Sequence, residues 1–164
     1  GLNFYSKKSG YECDLHGNLS KTGKGDDILY NELNSLSFYK KKYPKSLGLE
    51  FVKQKIFPII NAYQISEFDI LATYIKHAAF QIAKNISDKK KLLVSGGGSY
   101  NTTLIKNLKE IFDINVYVPN DTIVNFKESL IFALLGYLKI NNQINCLSSV
   151  TGAVKDHSSG DIYF

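Results

Sequence analysis

The 164-residue sequence contains no methionine, not even at position 1. That absence is expected of a piece of a longer polypeptide, with Gly1 a remnant of cloning. Cysteine is scarce: Cys13 and Cys146 stand far apart in the sequence, and such a pair supplies no disulfide framework. A reducing cytoplasm is the compartment this usage points to. No apolar run approaches the roughly 20 residues that a bilayer-spanning helix needs, and Gly1-Leu2-Asn3-Phe4 opens no signal peptide. No membrane partner is expected. Dense charge of one sign is also missing. The net charge of +5 is scattered, with runs at Lys40-Lys41-Lys42 and Lys89-Lys90-Lys91, each beside an expected element end where lysines suit a helix C-terminus. Nucleic-acid binding would call for a longer basic stripe with interleaved aromatics, so no nucleic-acid partner is expected. Cys13 and His16 have a ligand-like spacing, but no second Cys/His pair lies nearby and zinc wants four ligands. No metal site is expected.

What is present suits one soluble domain, since 44% hydrophobic and 21% charged residues are globular proportions with enough apolar surface for a core. The chain is organised around Lys91-Leu92-Leu93-Val94-Ser95-Gly96-Gly97-Gly98-Ser99-Tyr100-Asn101. Leu92 to Val94 reads as a short buried strand. Three glycines then strip every Cβ from the following turn, and Asn101-Thr102-Thr103 supplies caps for a helix. A strand ending in such a turn brings bare backbone close to a ligand, commonly a phosphate or nucleotide. A tight turn with close strand–helix packing is the alternative. The stretch lacks the third glycine of a dinucleotide fingerprint and the Lys-Ser/Thr of a P-loop.

Along the chain, helices are expected at Leu2 to Lys8, from Asp26 or Asp27 to Leu36, and after Ser46 as cap up to Pro58. The longest helix opens at Ser66, with Asp69 completing a relative of the capping box, and runs to Asn85-Ile86-Ser87. Its stripe is Phe68, Leu71, Ala72, Ile75, Ala78, Ala79, Ile82, Ala83 and Ile86, with His77 packed beside it. Thr102 to Phe112 is a helix between strands at Leu92 and at Asn115 to Val118, which makes a right-handed parallel crossover. Asn125 is expected to cap a core helix, Phe126 to Ile140, that buries Leu130, Ala133, Leu134, Tyr137 and Leu138. Asp121 reads as a turn residue. The C-terminus reads as a loop at Val150 and a strand from Gly160.

Several of these stretches carry a resemblance. Val94-Ser95-Gly96-Gly97-Gly98-Ser99-Tyr100-Asn101 resembles the adenosine-side motif of the sugar-kinase and actin superfamily. More narrowly, it is similar to the GGG-x-x-N of anhydro-N-acetylmuramic acid kinases. Four other stretches match that family in order: Pro44-Lys45-Ser46-Leu47-Gly48-Leu49-Glu50, Asp69-Ile70-Leu71-Ala72-Thr73, Glu128-Ser129-Leu130-Ile131-Phe132-Ala133 and Val150-Thr151-Gly152-Ala153. Asp14 and Gly17 also resemble the family's D-x-x-G link. Ser129 stands where the family usually has alanine.

The resemblance implies an α/β fold (α+β by content), helix-rich, with a small sheet carrying a βαβα unit. It would be the C-terminal lobe of an actin-like ATPase/sugar-kinase fold. Residues 1–164 would form one domain, with 1–60 a helical linker region and 61–164 the nucleotide-side α/β core. Ser95, Gly96, Gly97, Gly98 and Asn101 would bind ATP, whose Mg²⁺ is held mainly through the missing N-terminal part. Glu128 would face the sugar; read from the residues alone it is equally an N3 partner of Asn125. Thr151 and Gly152 would lie near the nucleotide or the lobe interface, or form a plain turn. The general base would lie upstream, so no catalytic residue is named. The implied reaction is ATP-dependent phosphorylation of 1,6-anhydro-N-acetylmuramic acid to N-acetylmuramic acid 6-phosphate in murein recycling, a fragment alone being inactive. The implied partners are this sugar and the rest of the chain's own polypeptide, and a homodimer stays open. The alternative is a non-catalytic module that holds a nucleotide or docks a partner.

Overall fold

The computed structural model describes residues 2–42, 45–86 and 91–163. Pro44, Ser87, Lys89 and Lys90, which entered the readings above, lie outside them. Helix α1 is Leu2–Lys8, as its spacing indicates, and α2 is Asn18–Thr22. Helix α3 is Asp27–Ser35, capped by Asp26, whose side chain accepts from the Leu29 amide. Ser46 is no cap. Gly48 takes the N-cap of α4, Leu49–Phe51, and Glu50 folds back over it into the space a Cβ would need. A π-helical turn, Val52–Ile56, leads into α5, Phe57–Asn61. Pro58 therefore does not stop the helix. It sits in the first turn of α5, where its missing N–H matters least, after a widened turn that makes room for its ring.

Helix α6, Glu67–Lys84, starts at Ser66 as expected. The Ser66 hydroxyl accepts from the Asp69 amide at 3.1 Å and donates to the Asp69 carboxylate at 2.7 Å. It ends at Lys84, because Asn85 turns its side-chain amide onto the Gln81 carbonyl. This helix is the spine. Its N-terminal half closes one apolar cluster with Tyr5, Leu29, Leu33, Val52, Ile56 and Ile60. Its C-terminal half closes a second with Ala79, Ala83, Leu108, Ile114 and Val116. The Asp69 to Thr73 motif fastens the two-glycine link before α3. Asp69 accepts from the Lys24 amide at 2.7 Å and the Gly25 amide at 3.3 Å, and Thr73 Oγ1 accepts from the Asp26 amide at 2.8 Å. The Ser66 hydroxyl and then these amides hold the Asp69 carboxyl below its ordinary range. Gly23 passes so close to the Phe68 carbonyl that any Cβ would collide.

The expected crossover is present. Strands β1, Leu92–Leu93, and β2, Val116–Tyr117, pair in parallel with Leu92 opposite Val116. Between them run α7, Thr102–Lys106, and a π-helical turn, Asn107–Ile111. The architecture is thus α/β and rich in helix. The sheet buries one face alone: Val116 is buried, whereas Leu93 and Tyr117 are 57% and 64% exposed. A wholly buried β1 is not what the chain forms, because α6 and α7 cover a single side.

The largest departure is α8, Asp121–Ile140. Its 20 residues make it longer than the 18-residue α6. It begins five positions before the expected start, because Asn120 is the cap and accepts from the Ile123 amide at 3.1 Å. Asp121 is therefore its first helical residue and not a turn residue, well placed against the positive end of the dipole. The expected burial of Leu130, Leu134 and Tyr137 does not occur; they are 71%, 53% and 63% exposed, and Val124 is the buried member of the helix. Periodicity can find an apolar helix without saying what covers it. Past α8, Cys146 and His157 form an isolated antiparallel bridge around α9, Ser148–Thr151. Residues 161–163 form no strand.

Under α6 lies a buried polar cluster. Asn34 donates to the Tyr30 carbonyl at 2.9 Å, which leaves its oxygen to accept from His77 Nδ1 at 2.7 Å and from Gln81 at 2.7 Å. His77 Nε2 then accepts from the Tyr39 hydroxyl at 3.0 Å. Burial lowers the His77 pKa from 6.5 to about 4. The unfolded chain thus binds the extra proton in that window, so stability falls as pH drops from about 6.5 to about 4, by roughly 2–3 kcal/mol. Denaturant melts at pH 7.5 and pH 4.5 should show this loss in the wild type and much less of it in His77→Gln. An equal loss in the variant would assign the effect to other groups.

Candidate functional site

At the end of β1 the backbone turns through Gly96, at φ 82° and ψ 176°. Only glycine holds that region without strain. Gly97–Tyr100 then forms a single 3₁₀ turn. The Ser99 amide and hydroxyl both donate to the Gly96 carbonyl, at 2.9 and 2.7 Å. A Cβ on Gly97 or Gly98 would meet nothing within 4 Å. These two glycines are exposed and face open space, so packing within the chain does not explain them. Ser95 and Gly96 are half-buried behind them.

Asn101 is the cap of α7. Its side-chain oxygen accepts from the Leu104 amide at 2.9 Å, which leaves the Nδ2 group for any ligand. The turn at 14–18 grips this loop from the other side. Thr102 Oγ1 donates to the His16 carbonyl and Thr103 Oγ1 to the Gly17 carbonyl, each at 2.7 Å. Gly17, at φ 77°, approaches so closely that an added Cβ would lie 2.8 Å from Thr103 Oγ1. Asp14, itself buried, fixes the turn by accepting from the Leu19 and Ser20 amides at 2.7 and 3.3 Å. Gly97, Gly98 and Asn101 line a cleft of about 480 Å³ together with Cys13, His16 and Ile75, a volume in the range of small-molecule sites.

Below the loop, the Tyr100 hydroxyl lies 3.1 Å from Asp121 and 3.3 Å from Asn125. Desolvation and then Asp121 raise its pKa, so it stays a neutral donor. Asn125 is thus a side-chain contact to the loop and no cap. Glu128 lies three residues on, on the same face of α8, exposed and past the first turn. The capping-box reading of Glu128 fails, since no free N–H lies within its reach there. Thr151 and Gly152 end α9, with Thr151 Oγ1 donating to the Leu147 carbonyl and Gly152 in the left-handed cap. Asp156 holds the start of α9, accepting from the Ser148 amide and hydroxyl at 2.7 and 2.6 Å. Among the described residues no group of three His, Cys, Asp or Glu could hold a metal ion. No helix among them is long and apolar enough to cross a membrane.

Sequence reasoning placed the glycines and the Asn101 cap. It missed the grip of His16, Thr102 and Thr103 and the link from Tyr100 to α8. The spacing of Asp14 and Gly17 was the one visible signal, a short helix start beside a left-handed position.

The model of the anhydro-N-acetylmuramic acid kinase family matches residues 3–164. The chain belongs to that family. Among curated relatives, the anhydro-N-acetylmuramic acid kinase of Sulfurimonas denitrificans is 32% identical over 96% of this chain and 47% of its own length. That of Rhodococcus erythropolis is 33% identical over 85% of this chain and 37% of its own. The Clostridioides difficile kinase is 29% identical over 91% and 42%. The chain therefore spans less than half the length of the relatives it matches.

The glycines divide by role. Gly96→Ala should destabilise the fold by about 1–3 kcal/mol. Gly97→Ala should stay within about 0.5 kcal/mol, as an exposed site without neighbours. Urea melts of the two variants test this, and equal losses would make the whole turn a packing device.

Proposed function

We propose that this chain is the C-terminal lobe of an ATP-dependent kinase that phosphorylates 1,6-anhydro-N-acetylmuramic acid to N-acetylmuramic acid 6-phosphate in murein recycling. The observation that carries the reading is the pair of bare glycines. Gly97 and Gly98 keep their space clear of the chain's own atoms, in a loop locked on both sides, inside a chain that matches the kinase family over residues 3–164. Backbone that is rigid and unobstructed is what close approach of a nucleotide needs. ATP would lie along Gly96, Gly97 and Gly98, with Ser95 behind them and Nδ2 of Asn101 at the edge. The γ-phosphoryl group it carries is what the reaction transfers, and Mg²⁺ would neutralise the phosphates.

Phosphoryl transfer asks a protein mainly for positioning and charge stabilisation. This chain would supply the nucleotide wall and one sugar contact. Glu128 is suited to the latter because it is exposed on the face of α8 that Asn125 turns toward the loop. As a carboxylate it would accept from a sugar hydroxyl, a charge-assisted bond of the stronger kind. The general base and the phosphate-side residues would come from upstream polypeptide. The same polypeptide would cover α8, whose Phe126, Leu130, Phe132 and Tyr137 are 62–71% exposed. A helix whose residues 130–138 are apolar all round suits burial of that stretch. The cytoplasm is the compartment where such recycling would run.

A phosphorylation assay with the anhydro sugar and ATP tests the proposal. The intact kinase should turn over and residues 1–164 alone should not. In the intact enzyme Glu128→Gln should lower kcat/KM by about ten- to a hundredfold with Tm nearly unchanged. Turnover by 1–164 alone would refute the division of labour, and wild-type kinetics in the variant would remove Glu128 from the site.

A further inference from the structure

We infer that His16 selects the base of the nucleotide, reading the exocyclic amine of adenine through its Nε2 atom. The inference rests on the reading of the glycine loop as the nucleotide wall, and it adds a residue that the motif does not contain. His16 adopts φ 57° and ψ 12°, a left-handed conformation that among side chains is found most in Asn, Asp and His. Two hydrogen bonds impose it: Thr102 Oγ1 to the His16 carbonyl and the Gly17 amide to the Asp14 carbonyl at 3.1 Å. With the bond from its own ring to the Tyr100 carbonyl, these contacts hold the residue in one place.

His16 lines the 480 Å³ cleft that Gly97, Gly98 and Asn101 also line. Leu15, Ile75 and Leu104 supply apolar wall there, suited to the flat face of a purine. The ring is oriented by its own bond. His16 Nδ1 lies 3.3 Å from the Tyr100 carbonyl, and a carbonyl can only accept, so Nδ1 carries the proton. In the neutral ring Nε2 is then an acceptor. An acceptor on a residue that lines the cleft suits the 6-amino group of adenine, a donor, and opposes the 6-oxo group of hypoxanthine or guanine, an acceptor. A polar site built for one such partner rejects the other strongly.

Calorimetric titration of the intact protein with ADP and with IDP tests this. His16→Asn is the chosen variant because asparagine tolerates the left-handed backbone, and Gly97→Val controls for the loop. The wild type should bind ADP about tenfold or more tighter than IDP. His16→Asn should bring the two within about threefold, while Gly97→Val should weaken both. In ¹⁵N spectra of the histidine side chains, ADP should shift the His16 Nε2 resonance and leave that of His77 in place. A variant that keeps the wild-type ADP preference, with Gly97→Val still impaired, would overturn the role of His16 and leave the glycine-loop reading intact. ADP affinity unmoved by Gly97→Val would overturn that reading, and the inference with it.

Discussion

The structure depends on one close approach, that of Gly17 to the start of α7. With no Cβ, its backbone comes within hydrogen-bonding reach of Thr103, and the preceding carbonyl receives Thr102. The added Cβ of any other residue would press on the Asn101 side chain that caps the helix. The contact joins segments 86 residues apart in sequence. It turns a strand–turn–helix, flexible by composition, into a rigid wall, because glycines are costly to order and need outside contacts to fix them. Rigidity of this kind lets Gly97 and Gly98 stay exposed and still hold one shape.

A second constraint organises the body around that wall. Helix α6 contributes to both apolar clusters, so the helical N-terminal region and the crossover unit share one support. Asp69 and Thr73 hold the two-glycine link before α3 on the same helix. These two residues thus act as an anchoring device in this fold. Among the described residues, α8 past its contact with Tyr100 and the segment after it are largely exposed. A cleft of about 680 Å³ beside them is lined by Phe132, Leu135 and Ile140 with residues 159–163. It lies away from the glycine loop and belongs to the same uncovered apolar surface. The chain spans under half the length of the relatives it matches.

Much of this was legible from sequence where the signal is local. Ser66 with Asp69 announces α6, and Asp26 announces α3, because a cap and the amide it serves lie within three residues. The two strands and the helix between them follow from short apolar runs punctuated by glycine and proline. The start of α8 was misread because two asparagines precede apolar residues. Asn120 wins, since Asp121 extends the helix in its first turn and so was no turn residue. Burial along α8 could not be read, as periodicity reports a stripe and not its cover. Ser46 lost its cap position to Gly48 for a local reason, the return of Glu50 over the turn. The grip of Gly17 and His16 on the loop was invisible for the opposite reason: its partners are remote in sequence and meet only in the fold.

Amide hydrogen exchange in the wild type and in Gly17→Ala tests the central claim most directly. The informative amides are those of Ser99, Asn101 and Leu104, bonded to Gly96, Gly98 and the Asn101 side chain. If the close approach of Gly17 holds the loop, these three should lose protection together, by about tenfold or more, while α6 amides from Ile70 to Ala83 keep theirs. Unchanged protection at the three loop amides, or an equal loss throughout α6, would contradict the account.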